Sequence, residues 1–240
     1  MNNKIDKLLS ENPYPGRGII LGKTPDGGYA VSAYFIMGRS ENSRNRVFTE
    51  KNGEVAIYPY DQTKVKDPSL IIYSPVRQYK NSLIVTNGDQ TDTIYNFLTE
   101  GKTFEEASNT RTFEPDSPNF TPRISGIIDF SNDDFTYKLS ILKSGDEKGT
   151  VCNRFYFNYT PQPGTGHLIH TYNCDGSPLP SFTGEPKRVE ISNDIEKFAY
   201  LIWNSLNSEN KISLFVRYDN LSDHTYKSLI INKNSPEGLK

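Results

Sequence analysis

The sequence of 240 residues contains few cysteines, with only Cys152 and Cys174. Two cysteines at this spacing match no four-ligand zinc site and build no disulfide framework, so we expect two reduced thiols, with a single bridge as the alternative. Basic and acidic residues nearly balance, 27 against 29, which excludes a nucleic-acid coat or a polybasic membrane tether. No apolar run reaches the length of a signal peptide or a membrane span, so we expect a cytoplasmic protein.

Motifs for the common cofactors are also missing. Gly22-Lys23-Thr24 resembles the end of a phosphate-binding P-loop, but Arg17 stands where that motif needs its first glycine, and the residues between are apolar. His167 and His170 would point to opposite faces of a strand, where they are poorly placed to share a metal ion. The sequence therefore predicts no bound cofactor and no metal site.

Aromatic residues are plentiful, with 15 tyrosines and 13 phenylalanines, and β-branched residues accompany them in short runs. Such runs predict strands, and residues 18–23 and 29–36 around a Pro-Asp-Gly-Gly turn predict an antiparallel hairpin. Many strands with a few separate helices favour the α+β class over a doubly wound parallel sheet. The other predicted strands cover 55–58, 70–73, 82–86, 123–129, 137–142, 151–159, 167–172, 212–218 and 226–231.

Helix signals are fewer. A cluster of N-cap residues at 192–194 precedes apolar residues at helical spacing and predicts one helix. A second should begin near Asp89, as its N-cap, and end at Gly101, and Thr103 with Glu106 should form a capping box for a third. No repeat or long linker interrupts the chain, so we expect one domain over 1–240, with 1–15 as an N-terminal extension.

The first polar cluster directly follows the second predicted strand. Positions 39–46 hold three arginines and two asparagines, Asn42 and Asn45. A guanidinium presents planar donors that fit a phosphate, and it keeps its charge at any working pH. Arg39 and Arg46 are therefore candidates for a phosphate site, and a solvated loop is the alternative.

The second cluster, Thr86-Asn87-Gly88-Asp89-Gln90, lies at the end of a predicted strand. A strand, an Asn-Gly turn and a capped helix explain all of its residues. The backbone N–H groups at the start of a helix can also bind an anion or a carbonyl oxygen. Both interpretations stay open, with Asn87 and Asp89 as the candidate functional residues.

The third cluster spans residues 113–124. Two prolines stiffen a loop that carries Glu114 and Asp116, and a third proline precedes Arg123 at the start of an apolar strand. A rigid loop with two acids and an arginine suits a preorganised site, and it equally suits a loop that is fixed for structural reasons.

Taken together and in this order, these segments resemble the archaeal-type IMP cyclohydrolase family, which also has bacterial members. The resemblance implies an α+β fold, a four-layer αββα sandwich of the N-terminal-nucleophile hydrolase kind. Self-processing is not expected, because residues 1–15 precede the first strand. The matching pieces are 16–18, 38–40, 45–46, 71–73, 86–94 and 121–124.

The resemblance implies an enzyme that converts 5-formamidoimidazole-4-carboxamide ribonucleotide to IMP and water, so its partner is a small purine nucleotide, and we expect a homo-oligomer. It implies Glu114, backed by Asp116, as the acid/base group and Tyr73 as a donor to the developing oxyanion. Arg46 would hold the phosphate or polarise the formyl oxygen. The substrate-binding residues that it implies are Arg17, Arg39, Asn45, Asn87, Asp89 and Arg123.

Three other functions stay open from the residues alone. A non-catalytic purine-nucleotide-binding protein would keep the arginines and bind without turnover. An amide hydrolase on the same fold would need a nucleophile that the sequence does not visibly present. A carbohydrate-binding β-sandwich would use the many aromatic faces and would show no arginine-dependent affinity for a nucleotide.

Overall fold

Two antiparallel sheets form most of the structure, a computed structural model that describes residues 3–64, 73–131 and 134–234. One sheet has the order β11-β10-β1-β2-β12-β13 and the other runs from β3 to β9 in chain order. The strands are β1 (Arg17–Lys23), β2 (Tyr29–Met37), β3 (Val47–Lys51), β4 (Glu54–Tyr58), β5 (Val76–Tyr79), β6 (Ser82–Thr86), β7 (Arg123–Asp129), β8 (Thr136–Ser144), β9 (Cys152–Tyr159), β10 (Thr165–His170), β11 (Lys187–Glu190), β12 (Lys211–Asn220) and β13 (Tyr226–Asn232).

Helices cover the outer face of each sheet. Side chains alternate along a strand, so β1 directs Ile19 toward the other sheet and Ile20 outward. The outward set of the first sheet packs against α1 and α5, and α3 and α4 pack on the second sheet around Ile84. The helices are α1 (Ile5–Glu11), α2 (Glu41–Arg44), α3 (Gln90–Thr99), α4 (Phe104–Asn109) and α5 (Ile195–Ser205).

The polar clusters meet because particular strand ends coincide. β1 begins beside the end of β2, with Arg17 opposite Ile36. β6 ends beside the start of β7, with Thr86 opposite Ser125. The two sheets face each other across one apolar core that includes side chains of both β1 and β7. The polar residues that precede or follow these four strands therefore converge at one end of the sheet pair.

The α+β class is confirmed, and the predicted hairpin forms as β1 and β2. Helices α3 and α5 and the capping box of α4 also form where they were predicted. Strands β3, β5 and β11 and helices α1 and α2 were not predicted, since each is short and carries several polar residues. Of the predicted strand 70–73, residues 70–72 lie outside the described ranges.

The capping box of α4 permits a test of the fold. Thr103 accepts a hydrogen bond from the Glu106 N–H at 3.2 Å, and the Glu106 carboxylate accepts one from the Thr103 N–H at 2.8 Å. Thr103→Ala is expected to lower the free energy of unfolding by about 1 kcal/mol in urea titrations. The control is Thr99→Ala, on the exposed last turn of α3, which should change it by less than about 0.5 kcal/mol. Equal effects of the two would contradict the capping role.

Candidate active site

A cavity of about 370 Å³ opens at the end of the sheet pair where the polar clusters converge. It brings together residues from the start of β1, the segment before β5, the end of β6 and the loop before β7. Gly88, Pro115 and Thr121 complete its wall. The sequence-predicted residues that line it are Arg17, Tyr73, Asn87, Asp89, Glu114, Asp116 and Arg123.

Two glycines determine where Arg17 lies. Gly16 has a φ of 77°, and a Cβ there would come within 2.2 Å of Thr171 Oγ1. A Cβ on Gly18 would come within 2.2 Å of the ring of Phe35. The chain can therefore approach both neighbours only without side chains at these positions. Tight backbone packing on each side holds Arg17 at the cavity wall.

Arg17 and Arg46 form a pair of positive charges at this end of the core. Neither has an ion pair among the described residues, and the buried Arg17 Nε and Arg46 Nη2 have no hydrogen-bond partner there. Arg46 is only 3% exposed, and its Nε donates to Ser43 O at 2.7 Å. Burial lowers the pKa of Arg46, and the charge of Arg17 lowers it further. Two neighbouring guanidiniums, each with a buried donor that has no partner among the described residues, are suited to binding an anion.

The acidic side of the cavity is organised around Arg123. Its Nη1 donates to Asp89 Oδ1 at 2.6 Å and to Gln90 Oε1 at 2.7 Å, and lies 3.0 Å from Glu114 Oε1. Asp89 also accepts from Arg111. Burial would raise the pKa of Asp89, but its bonds to Arg111 and Arg123 lower it overall. Asp89 is thus an ionised partner of the arginines, and its side chain does not cap α3 although it occupies the N-cap position.

Glu114 differs from its acidic neighbour. Burial raises its pKa, the charges of Asp89 and Asp116 add to this effect, and Arg123 and Arg17 offset part of it. A buried carboxyl group with a raised pKa beside a cavity is suited to accept and return a proton. Glu114 is therefore the candidate acid–base residue of the predicted loop.

Asn87 holds two parts of the wall together. Its Nδ2 donates to Pro122 O at 2.8 Å, and its Oδ1 accepts from Ile124 N at 2.9 Å and from Gln90 Nε2 at 2.9 Å. The end of β6 is thereby fixed to the loop that enters β7. Because Asn87 bonds to the residues on both sides of Arg123, it helps to hold Arg123 at the cavity wall.

Asp116 is also held by its neighbours. Its Oδ1 accepts from Thr121 N at 2.7 Å, and its Oδ2 accepts from Thr121 Oγ1 at 2.5 Å. Thr121 Oγ1 also lies 2.5 Å from the hydroxyl of Tyr172, whose ring stacks on Tyr14. These contacts stiffen the loop that carries Glu114.

Tyr73 reaches the cavity with a fixed hydroxyl group. Its oxygen lies 3.0 Å from the hydroxyl of Tyr34, which is buried and stacked on Phe48. Burial raises the pKa of Tyr34, with Tyr73 adding to the effect. Tyr34 therefore stays neutral and can donate to or accept from Tyr73.

Of the sequence-predicted residues, Arg46, Arg39 and Asn45 do not line the cavity, and only Arg46 is close enough to Arg17 for their charges to interact. Arg39 Nη1 pairs with Asp175 Oδ1 at 2.6 Å, and its guanidinium lies 5.1 Å from the ring centroid of Tyr14. Asn45 uses both ends of its carboxamide on the backbone of Asp61, at 2.7 and 2.6 Å. A role for either in substrate binding stays a prediction.

Sequence reasoning missed four residues that support the site: Gln90, Tyr34, Thr121 and Tyr172. Each acts through a partner distant in sequence, as Tyr34 does through Tyr73. Gln90 offered the one usable signal, because it follows Asn87 by three positions and so lies on the same turn of the predicted helix start. The other three look like ordinary strand or loop residues.

Within the described ranges, no cluster of three or more metal-ligating side chains is found. Both cysteines, Cys152 and Cys174, are free. A search of the helices in the same ranges finds none that is long and apolar enough to cross a membrane.

The cavity of this α+β fold brings together arginines, carboxylates and a tyrosine hydroxyl group, the side chains that an enzyme acting on an anionic substrate would use. Comparison with known proteins identifies the family to which the chain belongs. The family model of the IMP cyclohydrolase-like protein matches residues 14–224, and the chain belongs to this family. The resemblance predicted from the polar clusters is thereby confirmed, and the match extends beyond the N-terminal half that carried it.

Several archaeal proteins named IMP cyclohydrolase are similar to this chain. That of Methanopyrus kandleri is 27% identical over 164 residues, which cover 66% of this chain and 75% of the relative. That of Methanocaldococcus jannaschii is 30% identical over 141 residues, or 55% and 69% of the two chains. That of Methanococcus maripaludis (strain S2) is 35% identical over 120 residues, or 48% and 58%.

Proposed function

We propose that this chain catalyses the IMP cyclohydrolase reaction, the ring closure of 5-formamidoimidazole-4-carboxamide ribonucleotide to IMP and water, as a step of purine biosynthesis. The observation that carries the proposal is that Arg17 Nε and Arg46 Nη2 are buried without a hydrogen-bond partner among the described residues. The two guanidiniums are close enough to interact, and Arg17 lines the same cavity as Glu114. A phosphate would supply the negative charge that this end of the core needs. The names of the relatives agree with this function.

The chemistry sets what the residues must do. The carboxamide nitrogen attacks the formyl carbon of the same molecule, so that a C–N bond forms while the nitrogen loses a proton and the formyl oxygen gains one. The new hydroxyl group then leaves as water, together with the proton of the former formamide nitrogen. Both reacting groups belong to one molecule, so the enzyme must select the reactive rotamer and stabilise the charge that develops.

Arg17 and Arg46 hold the phosphate in this proposal. Arg46 offers its buried Nη2 and Arg17 its buried Nε, and both are fixed, Arg46 by its bond to Ser43 O and Arg17 by the glycines beside it. Charge-assisted bonds from a fixed pair of arginines orient the nucleotide as well as bind it.

Glu114 and Tyr73 act on the reacting atoms. Glu114 takes the proton of the attacking nitrogen and passes it to the formyl oxygen, which becomes the hydroxyl group. It then takes the proton of the former formamide nitrogen and passes it to the departing hydroxyl group, and its raised pKa is suited to both transfers. The Tyr73 hydroxyl, fixed by Tyr34, donates to the formyl oxygen as it becomes negative. Arg123 holds the Glu114 carboxylate in position by an ion pair, and Asp116 stiffens the loop that carries Glu114 through its bonds to Thr121.

The same proposal includes the fold type, the domain organisation, the cellular location and the oligomeric state of the protein. Helices on both outer faces of two stacked sheets agree with the four-layer sandwich of N-terminal-nucleophile hydrolases. We assign residues 1–240 to one domain, in which Ile5 and Leu9 of the predicted N-terminal extension pack into the core beside α5. We place the protein in the cytoplasm as a homo-oligomer.

The test supplies purified protein with the formamido ribonucleotide and follows IMP by absorbance and by chromatography of the products. We expect IMP to accumulate, and the matching nucleoside without its phosphate to have a KM roughly 10²-fold to 10⁴-fold higher, because it loses a charged hydrogen bond to each of the two arginines. Release of formate and the free amine would instead make the protein an amide hydrolase. Thermal stabilisation by IMP without any turnover would make it a nucleotide-binding protein.

A further inference from the structure

A second and larger cavity, of about 650 Å³, opens at the opposite end of the sheet pair. It lies between the turn that joins β5 to β6, the end of β7 and the turn that joins β12 to β13. The candidate active site lies where β6 ends and β7 begins, and this cavity lies where β6 begins and β7 ends, at the far end of the same strands. None of its wall belongs to the site described above. Its volume lies in the range of small-molecule sites.

A buried ion pair replaces the apolar core on this side. Along β12, Phe215 faces the core between the sheets, and strand alternation places Arg217 and Asp219 next on the same face. Arg217 is 2% exposed and Asp219 is 7% exposed, and both line the cavity. A buried pair of this kind is often no more stabilising than apolar residues of similar size. Its presence at core positions therefore points to a use other than packing.

The bonds of this pair leave one acceptor free. Arg217 donates from Nε at 2.9 Å and from Nη2 at 2.6 Å, both to Asp219 Oδ1. It also donates to Gly53 O and to Gln78 Oε1. Asp219 Oδ2 is buried and has no partner among the described residues. Burial raises the pKa of Asp219, with Arg217 offsetting part of the shift, as expected for a carboxylate that lacks a second donor.

We infer that this cavity binds a neutral ligand that carries a sugar ring, of about nucleoside size, with one hydroxyl group donating to Asp219 Oδ2. The charge of Arg217 is already compensated by Asp219, and Lys80 and His224 lie on the exposed rim, so the interior favours an uncharged molecule. Carboxamides and aromatic rings on the wall suit the other hydroxyl groups and the apolar faces of such a ligand. They belong to Gln78, Asn81, Asn220, Phe130 and Tyr226.

The experiment titrates the protein with inosine and with D-ribose by calorimetry, in the presence of saturating IMP to occupy the first cavity. We expect inosine to bind under these conditions. Asp219→Asn keeps an oxygen for Arg217 and replaces the free acceptor with a donor, so it should raise the Kd for inosine roughly tenfold or more. Asp6→Asn, an equal charge change on α1, which contributes no residue to this cavity, should leave the affinity unchanged. Binding of D-ribose as well would show that the sugar is the part recognised.

A second variant keeps the test independent of the buried pair. Asn81 is exposed on the turn after β5, and Asn81→Trp would obstruct the cavity mouth without altering Arg217 or Asp219. It should also abolish inosine binding, while both variants retain wild-type turnover at the first site. The inference is overturned if inosine and D-ribose both fail to bind the wild-type protein, or if Asn81→Trp binds inosine normally. The loss of inosine binding in Asn81→Trp assigns that binding to this cavity whether or not IMP occupies the first one, so this result can be read even if the proposed reaction fails.

Discussion

Glu114→Gln is expected to lower kcat by about 10²-fold to 10⁴-fold, the usual contribution of a general acid–base residue. Glutamine has nearly the same shape and keeps an oxygen that can accept from Arg123, which lies 3.0 Å from the carboxylate. Its neutral carboxamide can neither accept the proton of the attacking nitrogen nor pass a proton to the hydroxyl group. KM should change far less than kcat, because the variant leaves Arg17 and Arg46 in place. Steady-state kinetics with the formamido ribonucleotide measures both constants.

The pH profile separates this role from a structural one. Burial raises the pKa of Glu114 above its ordinary value of 4.5, so wild-type kcat should fall as the pH drops through that raised pKa, and the variant should lack this limb. A raised pKa means that the folded state binds the proton more tightly than the unfolded chain. That stabilisation is present at low pH and is lost as the pH rises, so at pH 7 the variant should unfold no earlier than the wild type.

The matched control is Glu100→Gln, at the exposed C-terminal end of α3, where Glu100 pairs with Lys102 at 2.6 Å. It removes the same charge outside the cavity and should keep wild-type turnover and an unchanged pH profile. If Glu114→Gln retained most of the wild-type kcat, or kept the same acid limb, the acid–base assignment would be wrong.

Sequence alone could predict the elements whose own residues determine them. The hairpin of β1 and β2 has long apolar runs and a turn sequence, and α5 has an N-cap and an apolar face. Strand β11, with four residues and only Val189 buried, has neither signal. It forms because β10, far away in sequence, supplies its hydrogen-bond partners. Short strands of this kind depend on tertiary pairing, which a local pattern does not contain.

The same distinction applies to the site. Residues at strand ends were predictable, since strand ends of one sheet pair come close together. Their partners were not: Asp89 has the sequence of an N-cap, and its side chain turns instead to Arg123, which arrives 34 positions later on the neighbouring strand. The sequence also left open whether Arg46 is solvated. Burial to 3% exposure, with no ion-pair partner in the part of the chain that the structure describes, is a property of the folded packing alone.

Arg46 has no counter-ion within the described ranges, so its replacement should have a second large effect: weaker binding of the ligand, without a loss of stability in the free protein. In Arg46→Met, the Kd for IMP is expected to rise and kcat/KM to fall, each by roughly 10-fold to 150-fold, which is the value of one lost charge-assisted bond. The free protein should unfold at the same or a higher temperature, because the variant removes a buried cation that Arg17 repels and fills its volume with an apolar chain.

Thermal unfolding with and without IMP measures both effects at once. The wild-type melting temperature should rise strongly with IMP and with inorganic phosphate, and the variant should lose most of that rise while keeping its own stability. Arg188→Met, on the exposed edge strand β11, removes an equal charge and should behave as the wild type in both respects. Arg46→Lys should recover part of the ligand effect, since it restores the charge without the planar donors. An unliganded Arg46→Met protein that melts well below the wild type would show that Arg46 is held for packing, and an unchanged response to IMP would remove it from the phosphate site.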